Sequence, residues 1–216
     1  MHNTVKNLIY IQELIKSKTN RDTLTKIIAV SKTFPIENVL PLIEYGHLHY
    51  GENKVQEAIE KWTDIKNENY NIQLHLIGRL QTNKVKFALK IFDYIHSLDS
   101  EKLANKIAEE QGKQKKKPKI FIQVNLGNED QKSGIDKKYL NDFYIFCKNL
   151  NLDIIGTMCI PPNDGNTEKY FSEMNEINQQ LNFKELSMGM SADYLGAIKN
   201  KATFVRLGSK IFGSRS

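Results

Sequence analysis

The feature that most constrains this chain is its alternation. Short apolar segments of strand length take turns with amphipathic segments of helix length along almost the whole sequence. That order predicts a parallel sheet covered by helices. Strands are expected at residues 27–30, 47–50, 73–77, 92–97, 119–125, 153–158, 185–188 and 203–207. Helices are expected at 35–45, 52–64, about 81–90, 100–111, 137–149, 167–181 and 192–200, with a last short turn at 210–212. Pro35 near the start of the first of these and Gly46 past its end fit the usual asymmetry of helix ends, and Ser100 and Thr167 suit N-caps. Eight such units close more naturally into a barrel than into a doubly wound open sheet. The expected fold class is therefore α/β, a single-domain (β/α)8 TIM barrel over residues 1–216. Residues 1–18 form an amphipathic helix packed on it, with Val5, Leu8, Ile9, Ile11, Leu14 and Ile15 inward. The loops are short, the Pro161-to-Gly165 stretch being the most obvious exception, and leave no room for a second domain.

The charge balance narrows the partners. The formal net charge is +6, which raises nucleic acid as a ligand. The cations are spread along the chain, however, and the one dense run, Lys113 to Lys117, precedes Pro118 and a new strand. It reads as a solvated loop, and no nucleic-acid partner is expected. No apolar run has transmembrane length and no signal-like segment opens the chain, so no membrane association is expected. Only Cys147 and Cys159 occur, without CxxC spacing. A reducing, cytoplasmic location follows as the default, and no metal site is expected from these cysteines and the five histidines.

In barrels of this kind the active site lies at the C-terminal ends of the strands. Lys32 leaves the first strand there, next to apolar surroundings that favour a neutral, nucleophilic amine. That is what a Schiff-base lysine needs, although a lysine marking a strand end is also commonly just a solvated charge. After the seventh and eighth strands come Ser187-Met-Gly-Met-Ser-Ala-Asp193 and Arg206-Leu-Gly-Ser209. Gly189, Ser191, Gly208 and Ser209 are placed where glycine lets a ligand approach and where helix starts offer N–H groups to a phosphate. Ser191 as a plain N-cap and Gly208 as a turn residue stay open. A lysine facing a phosphate site suggests pyridoxal 5′-phosphate. Arg206 would then sit near the pyridine nitrogen and discourage its protonation; a salt bridge is its other reading. His75 packs beside the cofactor or fills the barrel interior. Asn53 hydrogen-bonds near the aldehyde or caps the second helix. Glu52 and Lys54 read as surface or supporting residues, and Met188 and Met190 as core or as flanks of a flat ligand.

Five segments then resemble one family: Ala29-Val-Ser-Lys-Thr33, Gly51-Glu-Asn-Lys-Val-Gln-Glu57, His75-Leu-Ile-Gly-Arg-Leu-Gln-Thr-Asn-Lys84, Ser187 to Asp193, and Val205-Arg-Leu-Gly-Ser-Lys-Ile-Phe-Gly213. Together, in this order, they are similar to the pyridoxal phosphate homeostasis proteins. The resemblance implies a barrel like the N-terminal domain of alanine racemase, fold type III among pyridoxal phosphate proteins. It implies an internal aldimine at Lys32, phosphate contacts from Ser191, Gly208 and Ser209, Arg206 at the pyridine nitrogen, and Asn53 and His75 along the cofactor. Arg79, Thr82, Thr157, Cys159 and Pro162 depart from the family pattern and touch the shape of the pocket rim.

The function so implied is binding, buffering or delivery of pyridoxal phosphate inside the cell, without catalytic turnover and with no catalytic residue assigned. Apo forms of pyridoxal phosphate enzymes are the expected recipients, and a monomer is expected by resemblance. The competing reading is an amino-acid racemase related to alanine racemase. A two-base racemase needs a second acid/base group opposite the lysine, and none of the nine tyrosines has an obvious claim to that role.

Overall fold

The computed structural model describes residues 1–18, 25–68, 71–127 and 133–213. Its strands are β1 (Lys26–Val30), β2 (His49–Glu52), β3 (Gln73–Leu76), β4 (Tyr94–Leu98), β5 (Lys119–Asn125), β6 (Ile135–Asp136), β7 (Asp153–Met158), β8 (Glu185–Met190) and β9 (Phe204–Leu207). The helices are α1 (Asn3–Lys18), α2 (Leu40–Glu44), α3 (Val55–Asn67), α4 (Val85–Ile91), α5 (Glu101–Gln114), α6 (Leu140–Asn149), α7 (Thr167–Gln180), α8 (Tyr194–Lys199) and α9 (Ser209–Phe212). All strand pairs are parallel. The order runs β4-β3-β2-β1-β9-β8-β7-β5, and pairing of β4 with β5 closes the ring into the expected eight-stranded barrel. The two-residue β6 lies outside this ring on β5 and was not expected from the sequence.

Alternation along each strand divides the apolar residues into two cores. Ile27 and Ala29 on β1, Leu74 and Leu76 on β3, and Ile95 on β4 face outward, under the helices. Ile28, Val30, Tyr94, Phe121, Met158 and Phe204 face inward and fill the barrel. This is how a parallel sheet buried on both faces reads as an almost continuous apolar run. Helix α1 buries Val5, Leu8, Ile11 and Ile15 and is tied to α9 by Asn7 Nδ2, which donates to the Ile211 carbonyl over 2.9 Å. Ile9 and Leu14 are only partly buried.

Several boundaries move, each for a local reason. The helix expected at 35–45 is a 3-10 turn, Ile36–Asn38, followed by α2; Pro41 in the first turn of α2 supplies no N–H to continue a ladder from before it. The segment at 81–90 divides likewise into Thr82–Lys84 and α4, and that at 137–149 into Lys137–Tyr139 and α6. Ser100 caps α5, accepting from the Leu103 N–H at 3.4 Å. Asn166, not Thr167, occupies the N-cap position of α7. The second strand starts later than expected and runs through Glu52, so Glu52 is fully buried and not a surface residue. The seventh runs to Met190 because Gly189, at φ +91°, carries a bulge between Ser187 and Met190.

Candidate functional site

The C-terminal mouth of the barrel holds a cavity of about 440 Å³. Lys32, Asn53, Ser191, Arg206, Gly208 and Ser209 line it together, with Val30 and Ile77 at its base and Phe34, Ile160 and Met190 at its side. Six of the seven residues singled out from the sequence are thus brought to one place. They come from β1, β2, β8 and β9 or the turns just after them. The register explains the meeting: β1 pairs directly with β9, with Ala29 opposite Leu207, so residues from opposite ends of the sequence share a rim.

The turn that carries Lys32 is built from the second strand and third helix. Ser31 donates its hydroxyl to Glu52 Oε1 at 2.8 Å. Lys61 Nζ lies 2.8 Å from the same oxygen and donates to the Ser31 carbonyl, also at 2.8 Å. Trp62 Nε1 donates to Glu52 Oε1 at 3.0 Å. An ammonium and two further donors thus converge on Oε1 of this buried carboxylate, which offsets part of the cost of burying it, while Oε2 is buried without a partner among the described residues. On the other side of Lys32, Thr33 adopts φ +68°. That is a strained value for a β-branched residue and the kind of outlier that clusters at ligand sites. Its N–H is held by Glu57 Oε1 at 2.6 Å. Lys32 is therefore fixed from both neighbours by side chains of α3, Lys61 on the Ser31 carbonyl and Glu57 on the Thr33 N–H.

Glycine opens the approach at two points. A Cβ on Gly78 would stand 2.3 Å from the Asn53 carbonyl oxygen, so only glycine lets the turn after β3 close against Asn53. Gly189 likewise brings β8 against α8, where a Cβ would meet that of Ala197 at 2.5 Å. Ser191 lies in the turn between β8 and α8 and does not cap the helix; Asp193 takes the N-cap position and accepts from the Met190 N–H. Gly208 caps α9 through its carbonyl, which accepts from Ile211 and Phe212.

Arg206 forms part of the cavity wall while only 5% exposed. It donates through Nη1 to Ser187 Oγ at 2.8 Å and through Nη2 to the Cys159 carbonyl at 2.9 Å. Its other reading from the sequence, a salt bridge, is not what the structure shows: the two described partners are a hydroxyl and a peptide oxygen. Asn53 lines the cavity, and Lys54 takes the N-cap position of α3.

His75 is not part of the cavity lining. It is fully buried one side-chain layer deeper than Ile77, stacked on Tyr94 with ring centroids 4.1 Å apart. The interior reading of this histidine therefore holds: Ile77, just after β3, lines the cavity, and His75, on β3, lies below it. Met188 is buried in the helix-covered core, whereas Met190 is exposed at the rim. Glu52, read from the sequence as a surface or supporting residue, is a supporting one, and sequence reasoning gave no role to Ser187 or His96; all three are fully buried polar residues. The signal for His96 was a histidine on each of β2, β3 and β4.

The residues present suit a small anionic aldehyde. The cavity offers one primary amine, hydroxyl and amide groups, a buried guanidinium and, at Gly208, backbone without a side chain. Pyridoxal 5′-phosphate has an aldehyde, a phosphate and a ring nitrogen for these groups to meet.

A closed eight-stranded barrel with its pocket at the strand C-termini and a lysine after the first strand defines a class, and residues 7–216 match the model of the alanine racemase N-terminal domain. Within that class the chain belongs to the pyridoxal phosphate homeostasis protein family. It is 36% identical to the pyridoxal phosphate homeostasis protein of Pasteurella multocida, covering 95% of this chain and 93% of that one. With the protein of that name from Aquifex aeolicus it shares 35% identity, again over 95% and 93%. Its fold is similar to that of PipY from Synechococcus elongatus solved with PLP bound, with a TM-score of 0.87, 31% identity, and 97% and 100% of the two chains covered. An alanine racemase of Clostridium difficile is similar in fold alone, at a TM-score of 0.74 and 16% identity; 57% of that chain is covered.

Proposed function

We propose that this protein binds pyridoxal 5′-phosphate and holds it reversibly for intracellular homeostasis, with no catalytic turnover of its own. The observation that carries this reading is the convergence of Lys32, Asn53, Ser191, Arg206, Gly208 and Ser209 on one cavity. When bound, the cofactor would supply an aldehyde able to condense with a primary amine. Lys32 provides that amine. Ser191, Gly208 and Ser209 would hold the phosphate, Asn53 would lie along the ring, and Arg206, a permanent cation, would disfavour protonation of the ring nitrogen and so weaken the ring as an electron sink. The named function of the Pasteurella and Aquifex relatives and the PLP bound to PipY support the same assignment.

The absence of turnover rests on the cavity wall. Among the described residues that line it, Lys32 and Arg206 are the only ionisable ones. Two-base racemization needs a second proton donor opposite the lysine, and Arg206 keeps its proton. The recipients proposed are apo forms of pyridoxal phosphate enzymes, in the cytoplasm, with the carrier acting as a monomer and without nucleic acid or membrane.

The test is addition of pyridoxal phosphate followed by absorbance spectroscopy, borohydride reduction and peptide mapping. The expected result is one reduced adduct, on Lys32, which Lys32→Ala abolishes while keeping part of the affinity through the phosphate loops. An adduct elsewhere would refute the site. Chiral analysis of alanine and serine incubated with the loaded protein should show no more turnover than free cofactor gives.

A further inference from the structure

We propose that Ser187, His96, His75 and His49 form one hydrogen-bond chain of fixed direction that keeps an oxygen lone pair on Arg206. Ser187 and His96 are thereby positioning residues for the cavity floor. The inference rests on the cofactor reading given above, since Arg206 matters through what it faces.

The chain begins at the cavity and ends at the opposite rim of the barrel. Arg206 Nη1 is 2.8 Å from Ser187 Oγ, which is 3.0 Å from His96 Nδ1. His96 Nε2 is 2.9 Å from His75 Nδ1, and His75 Nε2 is 3.0 Å from His49 Nδ1. His49 opens β2, on the rim where β1 and β5 also begin. Four strands, β9, β8, β4 and β3, thus hand the contact on to a fifth.

Donor arithmetic sets the direction. A guanidinium only donates, so Ser187 accepts from Arg206. The Ser187 proton then goes to His96 Nδ1. That leaves the His96 proton on Nε2, donated to His75 Nδ1, and the His75 proton on Nε2, donated to His49 Nδ1. In the reverse arrangement Ser187 would accept from both sides, and its own proton would have no acceptor among the described residues in a place with no solvent exposure. An orphaned buried donor carries a full desolvation penalty. The rings are held flat in place: His96 stacks on Phe121 at 4.3 Å and His75 on Tyr94 at 4.1 Å. Burial, and for His96 also the Arg206 charge, keeps both histidines neutral, as a chain with one proton per ring requires. The upper end is an arginine, which does not give up its proton, so the chain orients and does not conduct.

The first test is long-range proton–nitrogen correlation NMR of the histidine rings in protein without cofactor at neutral pH. His96, His75 and His49 should all carry the proton on Nε2. A proton on Nδ1 of any of the three would overturn the inference, and this readout decides it whether or not pyridoxal phosphate binds. The second test compares His96→Gln with His96→Leu. A glutamine can accept from Ser187 and donate to His75; a leucine can do neither. Affinity for pyridoxal phosphate should stay within about threefold of wild type in His96→Gln, with His75 still protonated on Nε2, and fall about tenfold or more in His96→Leu. Equal losses in the two variants, or none in either, would leave His96 a packing residue only.

Discussion

The carbonyl oxygen of Ser31 accepts a 2.8 Å hydrogen bond from the Lys61 ammonium, so a residue of α3 fixes the peptide just before Lys32. The same ammonium neutralises Glu52, whose side chain is fully buried. Lys61→Met strands that carboxylate and should cost about 3–5 kcal/mol in urea unfolding, because removing one partner of a buried pair leaves an uncompensated charge. Adding Glu52→Gln should recover a large part of the loss. A single-variant cost below about 1 kcal/mol would show that the pair does not hold the turn.

Gly189→Ala tests the bulge. The residue has φ +91°, and a Cβ there would overlap that of Ala197 at 2.5 Å. Left-handed backbone alone costs an alanine about 1–2 kcal/mol, and the contact with α8 adds to it. The expected loss is about 2–4 kcal/mol, with weaker pyridoxal phosphate binding because the Ser191 turn moves with the strand. Unchanged thermal midpoint and affinity would refute the strained fit.

Acid should destabilise the fold through its histidines. Burial lowers His47 to about 4. Burial first, then the charges of His47 and Lys26, lower His49 to about 4. Unfolded histidines take up protons from about pH 6.5, so the folded state binds fewer protons between these values. The stability they contribute is complete above about pH 6.5 and is lost as pH falls toward 4. His47 alone accounts for up to about 3 kcal/mol of that fall and the more exposed His49 for less. Urea midpoints taken across this range should drop with acidity, and His47→Gln should flatten the curve; an identical slope in the variant would contradict the assignment.

Both cysteines are buried, and burial pushes each thiol up to about 12. At about pH 8 a disulfide-exchange reagent should therefore leave the native protein unmodified, since the thiolate is the reactive form. Both thiols should titrate once urea unfolds the chain. Rapid native labelling of either would place it on an accessible surface instead.

Much of this architecture is written locally. The strands at 119–125 and 153–158 match β5 and β7 at both ends, because apolar runs between polar turns leave little choice of boundary. Lys32, Ser191, Arg206, Gly208 and Ser209 were legible because glycine, serine and basic residues after apolar strands are locally conspicuous. The partners of Glu52 and His75 were not, and the sequence left two readings open for each. Glu52 follows a glycine and precedes a helix, and only the partners brought by Lys61 and Trp62 from one turn deeper in α3 make its burial tolerable. His75 owes its place to His49 and His96, on neighbouring strands 26 and 21 residues away. No window of sequence short enough to show periodicity contains all three. The bulge at Gly189 was hidden for a similar reason, since it exists only relative to the register of β9.

The pairing of β1 with β9 has a consequence for how the protein comes into being. Lys32 lies just after β1, whereas Arg206, Gly208 and Ser209 come in the chain only after the other strands of the barrel. Domains fold as they are synthesised, from the N-terminal side, so the cavity wall beside Lys32 is complete only once β9 pairs with β1. A chain interrupted before β9 would present Lys32 without Arg206, Gly208 and Ser209 beside it.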